Sequence, residues 1–383
     1  MLSVETSPTI HLAWRIITYQ RSRFLASLAG IAFAVLLMLA ELGFRNALLD
    51  SSLQAVQALE AEVFIEAEES EAFSGLRPMP RQRLAQALDA EGVLSAAPLY
   101  VDIRYFENQK DGSTRPIRLV GANPEDRVWR SPEIDRQRGA LMMPLTALID
   151  RRSRRQFYGD LEPGPAQVLA TGIEIVGTFA LGTDFRADGT LILGDRSFFA
   201  VTRNRGPDEI DLVLLRTRPG ADPTRVARAL GELLPDDVRV LTREEMLDQE
   251  LAYWRDGTPI GLVFSLGLMM GFIVGVVICY QILYTDVVDH LKEFATLKAM
   301  GYANSELIAV VIAEALLLSV IASIPSLLVG WALYGLIAAA TGLLLQLTLA
   351  RAATIAGLTA AMCLIAGLWA VRKVLVADPA DLY

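Results

Sequence analysis

Four long apolar runs limit the fold of this chain more than any other feature of its sequence. They occupy residues 24–44, 260–284, 307–339 and 352–371, and the first reads "FLASLAGIAFAVLLMLAELGF". A helix needs about 20 mostly apolar residues to cross about 30 Å of hydrocarbon. We therefore predict four transmembrane helices at these positions, with a kink at Pro325 in the third.

Basic residues beside the apolar runs predict the orientation of these helices. Short loops rich in Lys and Arg favour the cytoplasmic side of a membrane. With four crossings, three basic groups fall on one side: Arg15, Arg21 and Arg23; Lys292 and Lys298; Arg372 and Lys373. We predict that both chain ends are cytoplasmic (N-in/C-in), with a cytoplasmic loop at residues 285–306 and a cytoplasmic tail at residues 372–383.

The segment at residues 45–258 is predicted to be a folded domain on the far side of the membrane. Apolar stretches such as "EIVGTFALG" and "DLVLLRT" alternate with turn signals, including Asp188 followed by Gly189. Helical patterns near residues 80–88 and 223–234 interrupt the strands. The predicted fold class is an α+β membrane protein whose large mixed α/β extracytoplasmic domain lies between spans 1 and 2.

Both edges of this domain are predicted to be helical stalks. Thr242 and Glu245 have the spacing of a capping box at the start of the second stalk. The apolar stripes are Leu49, Leu53 and Val56 on the first stalk, and Leu247, Leu251 and Trp254 on the second. Gly257, Thr258 and Pro259 should end the second stalk at the membrane surface.

Composition and charge exclude several classes of function. The net charge of −9 gives no general attraction to phosphate, so nucleic acid is not a predicted partner. Cys279 and Cys363 both lie in apolar runs, where a cysteine is typically a small buried hydrophobe. A disulfide framework is therefore not predicted.

Enzymatic activity is not predicted either. The two histidines, His11 and His290, fall on the predicted cytoplasmic side, which excludes a histidine-dependent hydrolase in the external domain. No lysine follows a glycine, so a phosphate-binding Walker loop is excluded. A two-carboxylate mechanism stays open, although no acidic pair stands out. We predict no catalytic residue, no metal site and no cofactor.

The peptide "DHLKEFATLKAMGY" at residues 289–302 lies between the second and third apolar runs. Good helix formers, Lys298 near its end and Gly301 as a cap predict a short helix. Leu291, Phe294 and Ala295 share one face with Lys298, so an apolar strip is exposed to the cytosol unless something covers it. Two readings follow: the helix rests on lipid headgroups, or it docks a partner protein.

This peptide resembles the coupling helix of MacB-type and FtsX-type ABC transporter permeases. The shared pattern is an acidic residue, here Glu293, followed by "TLKAMG" and, in the third span, by Glu314 and Ala315. The N-terminal "LAWRIITYQRSRFLASLAGIAFAV" is similar to that family's amphipathic cytoplasmic helix (residues 1–23) and first span. "YWRDGTPIG", "IDRRSRRQFYG", "LGTDFRADG" and "RKVLVADPADLY" are similar to the DevC branch of these permeases.

The resemblance implies a permease subunit in the bacterial inner membrane. Its partners would be a second copy of the chain, a cytoplasmic ABC ATPase, a periplasmic adaptor (membrane fusion) protein, an outer-membrane channel and membrane lipids. ATP-driven motion would pass from the coupling helix through the stalks to the external domain. The residues that would bind the ATPase are His290, Leu291, Glu293, Phe294, Ala295, Leu297, Lys298, Met300 and Gly301.

Two intramembrane carboxylates and one basic run are further candidate sites. Glu314 is expected to form an interior hydrogen bond, and a direct role with cargo is the alternative. Glu41 is expected to reach toward the membrane interface. The arginines of the external motif form a solvated surface or contact the adaptor or an anionic cargo: Arg151, Arg152, Arg154 and Arg155.

Two rival functions come from other classes. An FtsX-like regulator would pass ATPase motion to an extracytoplasmic partner without moving cargo, and the large external domain argues against it. A membrane receptor would need a cytoplasmic output domain, for which the short predicted tail leaves no room.

Overall fold

The computed structural model describes residues 21–107, 112, 114–154, 163–168, 171–203, 205–341, 343 and 345–376. The predicted N-terminal cytoplasmic helix, most of the predicted tail and Arg155 lie outside these residues. The chain divides into a helical unit and an α/β unit, and the α/β unit comprises Asn46–Gly261 with Ile337–Leu344.

Helices and strands follow one another along the described chain. The helices are α1 (Arg21–Ala58), α2 (Gln82–Leu88), α3 (Pro132–Gln137), α4 (Asp195–Thr202), α5 (Pro223–Leu233), α6 (Arg243–Ala252), α7 (Pro259–Asp289), α8 (Leu291–Ala299), α9 (Asn304–Thr341) and α10 (Leu349–Val376). A π-helix, Tyr253–Gly257, connects α6 to Thr258 and α7. The strands are β1 (Val63–Ala67), β2 (Met79–Pro80), β3 (Val93–Glu107), β4 (Thr114–Ala122), β5 (Thr146–Asp150), β6 (Gly164–Val168), β7 (Thr171–Phe179), β8 (Thr190–Gly194), β9 (Glu209–Ile210), β10 (Leu212–Thr217) and β11 (Val238–Thr242).

A nine-stranded mixed sheet forms the centre of the α/β unit. Its strand order is β11-β1-β10-β3-β4-β8-β5-β7-β6, and β2 pairs with β9 separately. The β4–β8 and β5–β7 pairs are parallel, whereas β1 is antiparallel to both neighbours. Strand β1 therefore brings the chain that follows α1 beside β11, which leads directly into α6.

Both faces of the sheet are covered. Alternate side chains of a strand point to opposite faces, so Val63 and Ile65 of β1 enter one core while Phe64 enters the other. Helices α2, α4 and α5 cover the first core, with Leu230 fully buried. The second core includes Val56 of α1 and Met246 of α6, along with Trp129. The domain ends of both predicted stalks thus pack on one face of the sheet.

The helical unit contains the apolar segments. Four helices are long and apolar enough to cross a membrane: Phe24–Ala58, Pro259–Asp289, Asn304–Ala339 and Leu349–Arg372. Pro325 lies inside α9, which continues through it. Four apolar helices with a large α/β domain between the first and second confirm the predicted fold class. The predicted orientation in the membrane stays a prediction.

Glycines allow α7 to pack closely on α1 within the helical unit. Gly267, Gly271 and Gly275 recur every fourth residue and therefore lie on one face of α7. A Cβ on Gly267 would occupy the position of the Glu41 carboxylate, and a Cβ on Gly271 would lie 3.5 Å from Cγ of Met38. Small residues at such a crossing let helix backbones approach each other.

Candidate coupling helix and stalk base

The short helix α8 forms because its two ends are specified locally. His290, with φ −99° and ψ 19°, interrupts the preceding helix, and its carbonyl accepts the Phe294 N–H at 3.1 Å. At the other end Gly301 adopts φ +95°, which glycine tolerates. The Tyr302 N–H then donates to the Leu297 carbonyl at 3.2 Å, as in a Schellman cap. The predicted Gly301 cap is confirmed.

The apolar face of α8 packs against other helices of its own chain. Phe294 is 3% exposed and Ala295 is 1% exposed. Phe294 belongs to a cluster whose other buried members are Val287, Leu307, Val310, Val311 and Val371. Phe294 and Ala295 are therefore covered within the chain itself. The Phe294 side chain holds α8 to α7, α9 and α10.

The opposite surface of α8 is open and carries three of the seven remaining predicted contact residues. Glu293 and Gly301 are exposed, and Met300 is 63% exposed. Lys292 and Tyr302, which the sequence prediction did not include, are exposed as well. The half-buried members of the predicted set are His290, Leu291, Leu297 and Lys298. We call Lys292, Glu293, Thr296, Met300 and Tyr302 the outer surface of α8.

The two intramembrane carboxylates occupy different environments. Glu314 is 1% exposed on α9, in agreement with an interior position. The Glu41 carboxylate is half-buried and lies against Gly267 of α7. The roles of both residues stay predictions.

The external arginines do not form one open basic surface. Arg151 forms an ion pair with Glu133, and Arg154 forms one with Asp188 at 2.9 Å. Arg151 and Arg152 are exposed, and Arg154 is half-buried. A contact with adaptor or cargo would therefore involve Arg151 or Arg152 among the described members. That contact stays a prediction.

A cluster at the domain ends of the stalks was not predicted as a site. Arg243, the first residue of α6, donates from Nη2 to the Leu59 carbonyl at 2.6 Å and from Nε to the Ala61 carbonyl at 3.0 Å. Its backbone N–H donates to the Glu62 carbonyl at 3.0 Å. The predicted capping box of Thr242 and Glu245 is confirmed and fixes the start of α6 beside these contacts.

Burial lowers the pKa of Arg243, but its guanidinium stays protonated. Loss of solvation lowers the pKa of its guanidinium to about 10, with Arg130 contributing in the same direction. The group therefore remains cationic at neutral pH. It lies 5.6 Å from the centre of the Phe64 ring, which favours a cation.

Glu250 on α6 connects to the body of the domain. Its Oε1 accepts the Trp254 indole N–H at 2.8 Å, and its Oε2 accepts the Phe73 N–H at 2.7 Å. Burial raises the pKa of Glu250 above its usual 4.5, although both donors oppose the shift. Arg118 lies over the Phe73 ring at 5.7 Å from its centre. The second stalk is thereby held to a buried polar cluster.

The connection from α6 to α7 has little room at Gly261. A Cβ on Gly261 would collide with the carbonyl oxygens of Trp254 and Arg255, which belong to the preceding π-helix. A Cβ on Gly257 would lie an ordinary 3.5 Å from the Tyr253 ring. Gly257 therefore provides a matched control for Gly261.

We expect Gly261→Ala to lower the stability of the full chain, because backbone atoms must move to admit the methyl group. Overpacking of this kind costs typically about 1–3 kcal/mol. Thermal unfolding in detergent micelles measures the effect, and Gly257→Ala should stay near wild type. Equal melting temperatures of the two variants would contradict this account of the junction.

Among the residues 21–376 that the structure describes, no three His, Cys, Asp or Glu side chains are grouped to hold a metal ion. Cys279 and Cys363 are buried free thiols whose Sγ atoms lie 3.6 Å apart. The residues that stand out are those that join helices to one another.

Comparisons with known proteins agree with the motifs of the sequence. Residues 264–379 match the family model described as FtsX-like permease C-terminal. No curated protein matches the chain. Among solved structures, the periplasmic region of MacB from Actinobacillus actinomycetemcomitans is 11% identical, with a TM-score of 0.36; the match covers 49% of this chain and 92% of that chain.

A second similar structure is the extracellular domain of the noncanonic ABC-type transporter YknZ from Gram-positive bacteria. It is 11% identical with a TM-score of 0.33, and the match covers 48% of this chain and 99% of that chain. TM-scores below 0.5 do not establish a shared fold, so no conclusion rests on these two structures. Residues 264–379 are similar to the C-terminal domain of FtsX-like permeases, and four of the described helices are long and apolar enough to cross a membrane.

Proposed function

We propose that the chain is the non-catalytic permease subunit of an ABC exporter that works by mechanotransmission. A separate cytoplasmic ATPase would bind α8, and the stalks would carry its motion to the α/β domain. The domain would act on a periplasmic adaptor and, through it, on an outer-membrane channel. The cargo would be lipid-like or would otherwise come from the periplasm or outer leaflet.

The observation that carries this proposal is the position of α8. The helix is fixed by Phe294 to the spans on either side, so a force on its outer surface would move those spans. Lys292, Glu293 and Met300 are available on that surface. A helix that only rested on lipid would need its apolar face turned to the membrane, whereas this apolar face is buried in the chain.

Several finer parts of the proposal rest on the sequence resemblance. These are membership of the DevC branch, assembly as a homodimer, contact with membrane lipids, location in the bacterial inner membrane, and cytoplasmic placement of both chain ends. An FtsX-like regulator that transmits motion without cargo would share α8 and the stalks. Dependence of transport on an adaptor would separate the two functions.

Substitution on the outer surface of α8 tests the proposal. Met300→Glu should weaken binding of the proposed cytoplasmic ABC ATPase by about 10- to 100-fold, because burial of a large apolar side chain contributes about 1.5–3 kcal/mol. Affinity can be measured in nanodiscs by fluorescence. Ser305→Ala, at an exposed site just beyond α8, serves as the control and should bind normally. Wild-type affinity of Met300→Glu would contradict docking at this surface.

A further inference from the structure

The two stalks are joined at the sheet by a polar link from α6 to the end of α1. Arg243 reaches across to the carbonyls of Leu59 and Ala61, which follow the last turn of α1. Because these contacts lie beside β1 and β11, which pair directly, the link is part of the sheet edge.

A second connection between the stalks runs through the buried loop at residues 181–188. The Glu250 carboxylate of α6 binds the Phe73 N–H, and the Phe73 ring lies against Arg118. Arg118 forms a buried ion pair with Asp184 of the loop. A side chain on Gly182 of the same loop, at φ +122°, would collide with Gln54 of α1.

The loop is held from the sheet side as well. Asp150, at the end of β5, accepts the Leu181 N–H at 3.0 Å and the Gly182 N–H at 2.6 Å. Asp184 accepts the N–H groups of Arg186 and Ala187. The motif "LGTDFRADG" therefore forms an internal connection and does not offer Asp184 as a surface ligand site.

We propose that Arg243 and Glu250 are positioning residues that make the domain ends of α1 and α6 move as one rigid body with the sheet. This inference rests on the proposed function, because it specifies how the domain receives motion. Motion of the domain would then be a displacement of both stalks together. Separation of one stalk from the other would be excluded by the Arg243 contacts and the buried loop.

Distances between spin labels on the two stalks test this inference. The labels are attached at Gln57→Cys on α1 and Asp248→Cys on α6, because both positions are exposed. The buried Cys279 and Cys363 are first replaced by alanine. The labelled chain is mixed with an excess of unlabelled chain, so that a dimer carries at most one labelled copy, and is reconstituted with the ATPase. The distance between the two labels of one copy should then be single and narrow. It should be the same without nucleotide and in an ATP-trapped state.

Variants at Arg243 provide the second half of the test. Arg243→Ala should broaden the distance distribution about twofold, because local opening follows when few contacts hold a segment. Arg243→Lys, which can still donate to one carbonyl, should restore much of the narrow distribution. Arg225→Ala is the control, since the Arg225 side chain is 87% exposed and should not affect the distance. If Arg243→Ala does not fold, Glu250→Gln should broaden the distribution instead.

Two outcomes would overturn the inference. One is a nucleotide-dependent change in the label distance of the parent chain, and the other is an unchanged distribution in the Arg243 and Glu250 variants. A spin label at Thr296 on α8 reports separately on the proposed function. If the ATPase does not change the signal of that label, the proposed function fails. The label distances in the Arg243 variants, measured without ATPase, would still show whether the two stalks form one rigid body.

Discussion

Replacing Phe294 by alanine should release α8 from the helical unit and strongly destabilise that end of the chain. The Phe294 side chain is 3% exposed and packs among Val287, Leu307 and Val311. Truncation of a buried phenylalanine typically costs about 3–5 kcal/mol, since contacts are lost and a cavity remains. Hydrogen exchange of α8 in detergent micelles, together with thermal unfolding, measures the loss.

Thr296→Ala is the matched control for Phe294→Ala, because it truncates an exposed residue of the same helix. A surface change of this kind usually alters stability by within about 0.5 kcal/mol. Wild-type exchange of α8 in Phe294→Ala would contradict the burial described above. It would instead favour the sequence-based expectation that Phe294 is free to enter a groove of the ATPase.

The second large effect is expected at Asp150, which is fully buried. Its carboxylate accepts the N–H groups of Arg152 at 2.9 Å, Leu181 at 3.0 Å and Gly182 at 2.6 Å. Asp150→Ala leaves three backbone donors without this acceptor, and each buried unsatisfied group costs about 1–3 kcal/mol. Chemical denaturation of the full chain in micelles should therefore show a loss of several kcal/mol, whereas exposed Asp236→Ala should match wild type.

Asp150 also predicts a pH dependence. Burial raises the pKa of its carboxyl above the usual 3.8, although the three N–H donors oppose the shift. A carboxyl with a raised folded pKa contributes stability that is complete below its unfolded pKa and is lost as the pH rises through its folded pKa. The unfolding free energy of the wild type should therefore fall with rising pH relative to Asp150→Asn, which does not titrate. If the unfolding free energy of the wild type instead rises with pH relative to Asp150→Asn, this environment for Asp150 is contradicted.

The membrane segments and the ends of several helices could be predicted because their causes are local. A run of about 20 apolar residues identifies a span. The side chains of Thr242 and Glu245 specify the start of α6 by forming a capping box. Gly301 similarly ends α8 by adopting a backbone conformation that favours glycine. None of these features depends on a distant part of the chain.

The contacts made by Phe294 and Arg243 could not be predicted in the same way. Periodicity placed Phe294 on an apolar face but could not decide whether that face met a partner or the chain's own helices. The structure shows that α7, α9 and α10 cover it. Arg243 contacts Leu59 and Ala61 because β1 and β11 are neighbours, and that pairing joins residues far apart in sequence.

In the proposed function a separate ATPase acts on α8, and its motion reaches the stalks. Hydrogen exchange of the full chain in nanodiscs, with and without the proposed ABC ATPase, would detect both steps. The ATPase should protect α8, and ATP trapping should change exchange in the π-helix Tyr253–Gly257 while the sheet strands stay unchanged. If exchange in α8 is the same with and without ATPase, and exchange in the π-helix is the same with and without nucleotide, action of an ATPase on α8 and the stalks is contradicted.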